Sequence, residues 1–100
     1  MIERIVLLKL ESDHRSADAV RRIIDESRRV LPTLPGVVSA HVGRAADDRT
    51  ESSWDVSLVV RFNTLKDIPP YAQHADHRTY VDDFLKPRVE SIVAFNFELD

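Results

Sequence analysis

Between Ile2 and Leu10 the chain alternates so that apolar side chains fall on both faces of one strand. Ile2, Arg4, Val6, Leu8 and Leu10 share one side, and Glu3, Ile5, Leu7 and Lys9 the other, because successive side chains of a strand point in opposite directions. Each side has apolar residues at its centre, so each needs cover. A chain of 100 residues builds one core, since a second could not be enclosed at that length. Residues 1–100 therefore form a single domain whose sheet must be covered twice.

The other elements follow from period and punctuation. Ser16 is a suitable N-cap, and Asp18 sits in the positive first turn. Val20, Ile23, Ile24, Ser27, Val30 and Leu31 then trace a helical stripe that Pro32 ends. Leu34-Pro35-Gly36 leads into a second strand from Val37 to about Gly43, and the polar run Ala45 to Ser53 reads as a hairpin loop. In the third strand Trp54, Val56, Leu58, Val60 and Phe62 alternate with Asp55, Ser57, Val59 and Arg61. Asn63 or Thr64 can cap a short helix holding Leu65 and Ile68, with Pro69-Pro70 interrupting it. A helix from about Ala75 to Lys86 buries Tyr80, Val81, Phe84 and Leu85, and Pro87 ends it. Val89 to Leu99 is the last strand, with Val93, Phe95, Phe97 and Leu99 on one face.

The order strand, helix, strand, strand, helix, strand predicts an α+β fold of the ferredoxin-like βαββαβ kind, a four-stranded antiparallel sheet with helices on one face. Its other face would carry Ile5, Leu7 and Val59 beside Ser57. At about 25 cal/mol per Å² of apolar area, covering such side chains contributes several kcal/mol. The economical cover is a second copy, so the expected assembly is a two-fold homodimer enclosing an α/β barrel between its sheets.

Composition narrows the function classes. Basic residues number 14 against 17 acidic, for a net charge of −3, which gives no electrostatic drive toward nucleic acid. Arg21-Arg22 and Arg28-Arg29 recur at helical spacing and read as the wetted side of the first helix. The longest apolar run, Ile5 to Leu8, is far below the roughly 20 residues of a membrane span. No secretory signal pattern is present, and the chain has no cysteine, so the expected location is the cytoplasm. With two glycines and no glycine-rich phosphate motif, nucleotide binding is not expected. No cofactor is expected either.

Chemistry concentrates in Tyr71-Ala-Gln-His74-Ala-Asp-His77. On a continuous helix Tyr71, His74 and His77 would share one stripe and form an acid/base cluster. Two histidines at this spacing can also share a metal ion. A site needs further ligands, and Asp76 would face away, so no metal is expected. His14 and His41 are isolated.

The opening Ile5-Val-Leu-Leu-Lys9, the entry Leu34-Pro-Gly-Val37, the strand Trp54 to Phe62, the Tyr71-x-x-His74-x-x-His77 pattern and the closing Val93-Ala-Phe-Asn-Phe97 occur in order over nearly the whole chain. In this it resembles the stress-responsive dimeric α/β-barrel domains. That family spans stress-induced proteins and a plant polyketide cyclase, olivetolic acid cyclase, which closes a linear polyketide by aldol condensation. The resemblance implies that His77 takes a proton next to a carbonyl while Tyr71 hydrogen-bonds the oxygen on which charge develops. The chain departs from the cyclase at Arg4 and Val56, where that enzyme has pocket histidines, and at Ala75, where proline is common, so its substrate does not transfer.

The expectation is a small molecule, apolar and carbonyl-bearing, in a pocket between helix and sheet. His77 and Tyr71 stand at the mouth, Trp54, Val56, Leu58 and Phe84 form the walls, and His74 and Arg4 supply further contacts. Arg4 can meet a substrate carboxylate or simply reach solvent at the strand end. Likewise His77 can bond a neighbouring carbonyl, Tyr71 can be packing and His74 can face water. The alternative reading is a non-enzymatic, stress-responsive oligomerising protein, favoured by a filled interior.

Overall fold

The structure is a computed structural model describing residues Met1–Asp100. Its strands are β1 (Ile2–Leu10), β2 (Val37–Arg44), β3 (Val56–Phe62) and β4 (Val89–Glu98). They form one sheet in the order β2-β3-β1-β4, every neighbouring pair antiparallel. This is the ferredoxin-like arrangement, with β1 and β3 at the centre. The helices are α1 (Ala17–Val30), α2 (Asp48–Glu51), α3 (Ile68–Gln73) and α4 (Ala75–Thr79).

The core lies on one side of the sheet. Ile2, Val6, Leu8 and Leu10 of β1 and Val56, Leu58, Val60 and Phe62 of β3 are buried there against Ile23, Ile24 and Val30 of α1. Ser16 caps α1 as its sequence predicts, its hydroxyl accepting from the Ala19 amide at 3.1 Å. Arg21, Arg22, Arg28 and Arg29 stand exposed on the opposite side of α1.

The other side of the sheet has no cover. Register places Ile5 between Val59 and Phe95, Leu7 between Ser57 and Val93, and Glu3 beside Phe97. Phe95 is 55% exposed and Phe97 52%, fractions that are unusual for two neighbouring phenylalanines on a strand.

Three local expectations are corrected. The stretch 45–53 is not plain hairpin loop: it holds α2, capped by the Asp47 carboxylate accepting from the Thr50 amide at 2.8 Å. Pro69 and Pro70 do not interrupt a helix; they lie in the first turn of α3, where the missing amides would have no helical acceptor anyway. The helix expected over 75–86 is regular only to Thr79, and Tyr80–Leu85 is a π-helical turn in which the Lys86 amide reaches back five residues to the Val81 carbonyl at 2.9 Å.

One glycine is required by geometry. Gly36 has φ +79°, and a Cβ there would sit 3.1 Å from the Asp67 Cβ. That close approach seats the start of β2 beside the capping box in which Asp67 accepts from the Thr64 amide at 3.0 Å.

Candidate functional site

The helix layer leaves a gap toward the β4 edge of the sheet. A cavity of about 170 Å³ opens there, with Arg4 and Val6 of β1, Leu58 of β3 and Ile92 of β4 on its sheet side and Tyr71 and His77 facing them. A larger hollow of about 530 Å³ lies along α1, but its lining is entirely charged and polar, whereas ligand pockets are mostly apolar with a few placed polar groups.

Tyr71 is held on α3 by burial, with its ring edge against the Phe62 ring at 4.9 Å between centroids. Its hydroxyl has no hydrogen-bond partner, yet no fully buried polar side-chain atom goes unpartnered, so the hydroxyl opens to the cavity. Burial pushes the phenol pKa up to about 12, with the nearby Arg4 charge opposing. It is a protonated donor at neutral pH.

His77 stands on α4 with its ring centroid 4.5 Å from that of Tyr71. Its Nδ1 lies 3.1 Å from the Ala72 carbonyl oxygen. A carbonyl only accepts, so Nδ1 carries the proton and Nε2 is left with a free lone pair. Burial lowers the imidazole pKa; the Ala72 carbonyl and Asp82 oppose this, and the Arg4 charge adds to it. The ring is therefore neutral at pH 7 and competent as a base.

Beneath the pair, the Tyr80 hydroxyl and Ser27 Oγ meet at 2.5 Å in the core, joining the π-helical turn to α1. Burial raises the Tyr80 pKa, the Ser27 bond opposing, so Tyr80 is a neutral wall. On the sheet side the Arg4 Nη1 donates to Asn96 Oδ1 at 2.9 Å.

Of the residues expected from sequence, Arg4, Leu58, Tyr71 and His77 come together around the cavity. The other four do not line it. His74 leaves the stripe because α3 ends before it: it has extended backbone, its ring is exposed, and its Nδ1 caps α4 by accepting from the Asp76 amide at 3.1 Å. Trp54 precedes β3 and borders a separate hollow with Leu7, Thr50 and Val56. Val56 lies in the core at the other end of β3. Phe84 stacks on Tyr80 at 6.1 Å and takes the Arg88 guanidinium over its ring at 4.2 Å.

Asn96, Ile92 and Tyr80 were missed from sequence as site residues. Alternation along β4 separates Asn96 from Phe95 and Phe97, but only the register Arg4↔Asn96 shows what it faces. No group of three or more His, Cys, Asp or Glu side chains is placed to hold a metal ion. No helix is long and apolar enough to cross a membrane.

Residues 2–99 match the family model described as the stress responsive A/B barrel domain. Among solved structures, a ferredoxin-like protein of that family from Mesorhizobium loti superposes with TM-score 0.82 at 19% identity, over 99% of this chain and 96% of that one. A dimeric ferredoxin-like protein of unknown function from Thermobifida fusca gives 0.81 at 21% identity, over 98% and 90%. The hydroxynitrile lyase of Passiflora edulis gives 0.80 at 17% identity, over 99% and 93%. No functionally curated protein matches the chain in sequence.

Proposed function

The chain belongs to the stress-responsive A/B barrel domain family, and from that premise we propose that it is a homodimer acting on a small carbonyl-containing molecule by acid–base chemistry in the cavity beside His77. The observation that carries this reading is the Nδ1–H bond of His77 to the Ala72 carbonyl, which commits one ring nitrogen and leaves the other free, 4.5 Å ring to ring from a phenol with no protein partner. In the proposed step His77 Nε2 removes a proton from the carbon next to the carbonyl. The electron pair moves onto the carbonyl oxygen, where the Tyr71 hydroxyl donates to it. Return of the proton to carbon, or cleavage or closure of a carbon–carbon bond, then depends on the substrate. The lyase among its structural neighbours supports chemistry on this scaffold, although a shared fold does not carry a shared reaction.

The homodimer is supported by the exposed face around Ile5, Val93, Phe95 and Phe97 and by dimeric structural relatives. That same face favours the second reading, a non-catalytic oligomerising protein. The cavity of about 170 Å³ lies between a filled interior and the roughly 300–1,000 Å³ of pockets for drug-sized ligands.

The deciding measurement is hydrogen–deuterium exchange at the carbon next to the carbonyl of a small ketone, phenylacetone, and of a small keto acid, phenylpyruvate, in D2O, followed by proton NMR. Protein-catalysed exchange that drops by about 10²–10⁴ in His77→Ala, the usual worth of a placed acid or base, supports the enzyme. An exchange rate equal to buffer, or unchanged in His77→Ala, leaves the oligomerising reading.

A further inference from the structure

We infer that the molecule taken up by this cavity carries a carboxylate, gripped by Arg4 with Asn96, while a small apolar body lies between Leu58 and Ile92; this rests on the cavity being the ligand site. The argument starts from the state of Arg4. Its one hydrogen bond goes to the neutral side-chain oxygen of Asn96 at 2.9 Å, and it forms no salt bridge.

Other arginines of the chain face a carboxylate, stand in water or, for Arg88, lie over an aromatic ring. Arg61 faces Glu3 at 3.3 Å, Arg15 faces Asp55 and Glu90, and Arg78 faces Asp82. Arg22, Arg28, Arg44 and Arg49 have no carboxylate but are exposed, and Arg88, also without one, donates to the Phe84 carbonyl and lies over the Phe84 ring, away from the cavity. Arg4 alone is half-buried on the core side of the sheet, at the wall of an apolar cavity, with its charge uncompensated.

A guanidinium presents five N–H donors in a planar fork whose geometry matches a carboxylate. One donor is engaged by Asn96, which leaves the rest of the fork free, and the Asn96 amide nitrogen is a further donor beside it. The groups facing Arg4 across the cavity add no negative charge. Tyr71 is protonated and His77 neutral, and the Arg4 charge is felt at both. A site of net charge about +1 lined by apolar side chains selects an anion with a compact apolar body. The cavity volume of about 170 Å³ limits that body to something near a single ring. The carboxylate would then lie beside the acid–base pair, which fits a keto acid or an aromatic acid better than a neutral ketone.

The test compares benzoate with benzamide, its neutral isostere, by NMR titration of the labelled protein, reading the His77 ring and Arg4 Nε–H signals. Benzoate should shift both, with benzamide weaker by about tenfold or more, as expected where a charge-assisted bond is lost. Arg4→Gln should weaken benzoate far more than benzamide and so abolish the preference for the acid, and Asn96→Leu should weaken benzoate by a smaller factor. Dispersed amide spectra for both variants establish that they fold. Equal binding of acid and amide with shifts at His77 would overturn the carboxylate assignment and leave the cavity as a ligand site. Retention of the acid preference in Arg4→Gln would overturn it as well. Absence of any shift with either probe would remove both readings.

Discussion

Ser27 Oγ and the Tyr80 hydroxyl lie 2.5 Å apart inside the core, and this single bond joins α1 to the π-helical turn that forms the floor of the cavity. Both residues are buried, at 0% and 4% exposure, so neither hydroxyl can turn to water if its partner is lost. Ser27→Ala should therefore destabilise the fold by about 1–3 kcal/mol, the cost of an unsatisfied buried polar group. Tyr80→Phe should cost a similar amount, and the double variant less than the sum of the two. Urea denaturation of the four proteins provides the cycle, and strictly additive losses would show that the pair is not coupled.

The acid limb of stability should run through His77. Its pKa is lowered in the fold, chiefly by burial, from the ordinary 6.5, so below pH 6.5 the unfolded chain binds the proton more readily than the folded one. The contribution of His77 is complete above about pH 6.5 and is lost as pH falls from there toward the depressed folded value, below which it changes no further. His77→Gln should flatten that part of the profile. Melting curves recorded at intervals between pH 5 and 8 decide it, and identical slopes for the two proteins would remove His77 as the cause.

Phe95 reports on assembly. It is half exposed and pairs with Ile5 at the centre of the uncovered sheet face. Placing a charge there should oppose burial against any partner surface while sparing the core on the other side. Phe95→Asp should convert a species of twice the 11.5 kDa chain mass to one of the chain mass, with α1 and its core contacts intact by circular dichroism. Light scattering after size exclusion makes the comparison. A wild-type monomer would remove the homodimer, and a variant that stays dimeric would place the contact elsewhere.

Asp55 anchors the far end of the sheet. Its carboxylate is 7% exposed, accepts from the Leu10 amide at 2.8 Å, and lies 3.6 Å from Lys9 Nζ and 3.8 Å from Arg15 Nε. Asp55→Ala would strand a buried amide and leave two cations without their shared partner. A loss of about 3 kcal/mol is expected, the lower end for breaking a buried ion pair, because Arg15 still reaches water and Glu90. Chemical denaturation measures it, and a change under about 0.5 kcal/mol, the scale of ordinary surface substitutions, would assign the cluster a surface role.

The parts of this molecule that read directly from sequence are those set by local period. β1, α1 with its Ser16 cap, and the element order all follow from alternation, helical stripe and punctuation. So does the apolar second face, since Ile5, Leu7 and Val59 must oppose the core once Val6, Leu8 and Leu58 are inside it. The site was half legible. Tyr71 and His77 meet, but as neighbours across a helix break and not as one stripe, because His74 leaves the helical conformation to cap α4. That break has a sequence signal, a residue able to accept a hydrogen bond two positions before an acidic one, and it competes evenly with continuing the helix. The π-helical turn has no local signal. Its first residue, Tyr80, bonds to Ser27, 53 residues away, a contact that no local pattern encodes. Arg4 facing Asn96 is likewise set by strand register, which a single strand does not encode alone.

Alternation along β1 assigns adjacent residues to separate tasks: Arg4 and Val6 look into the cavity, while Ile5 and Leu7 look out through the bare side of the sheet. Natural variation in this lineage can thus retune what the hollow accepts through even-numbered positions, and reshape what the sheet docks against through odd-numbered ones, with little crosstalk. A one-residue insertion in this strand is the change that would scramble both at once.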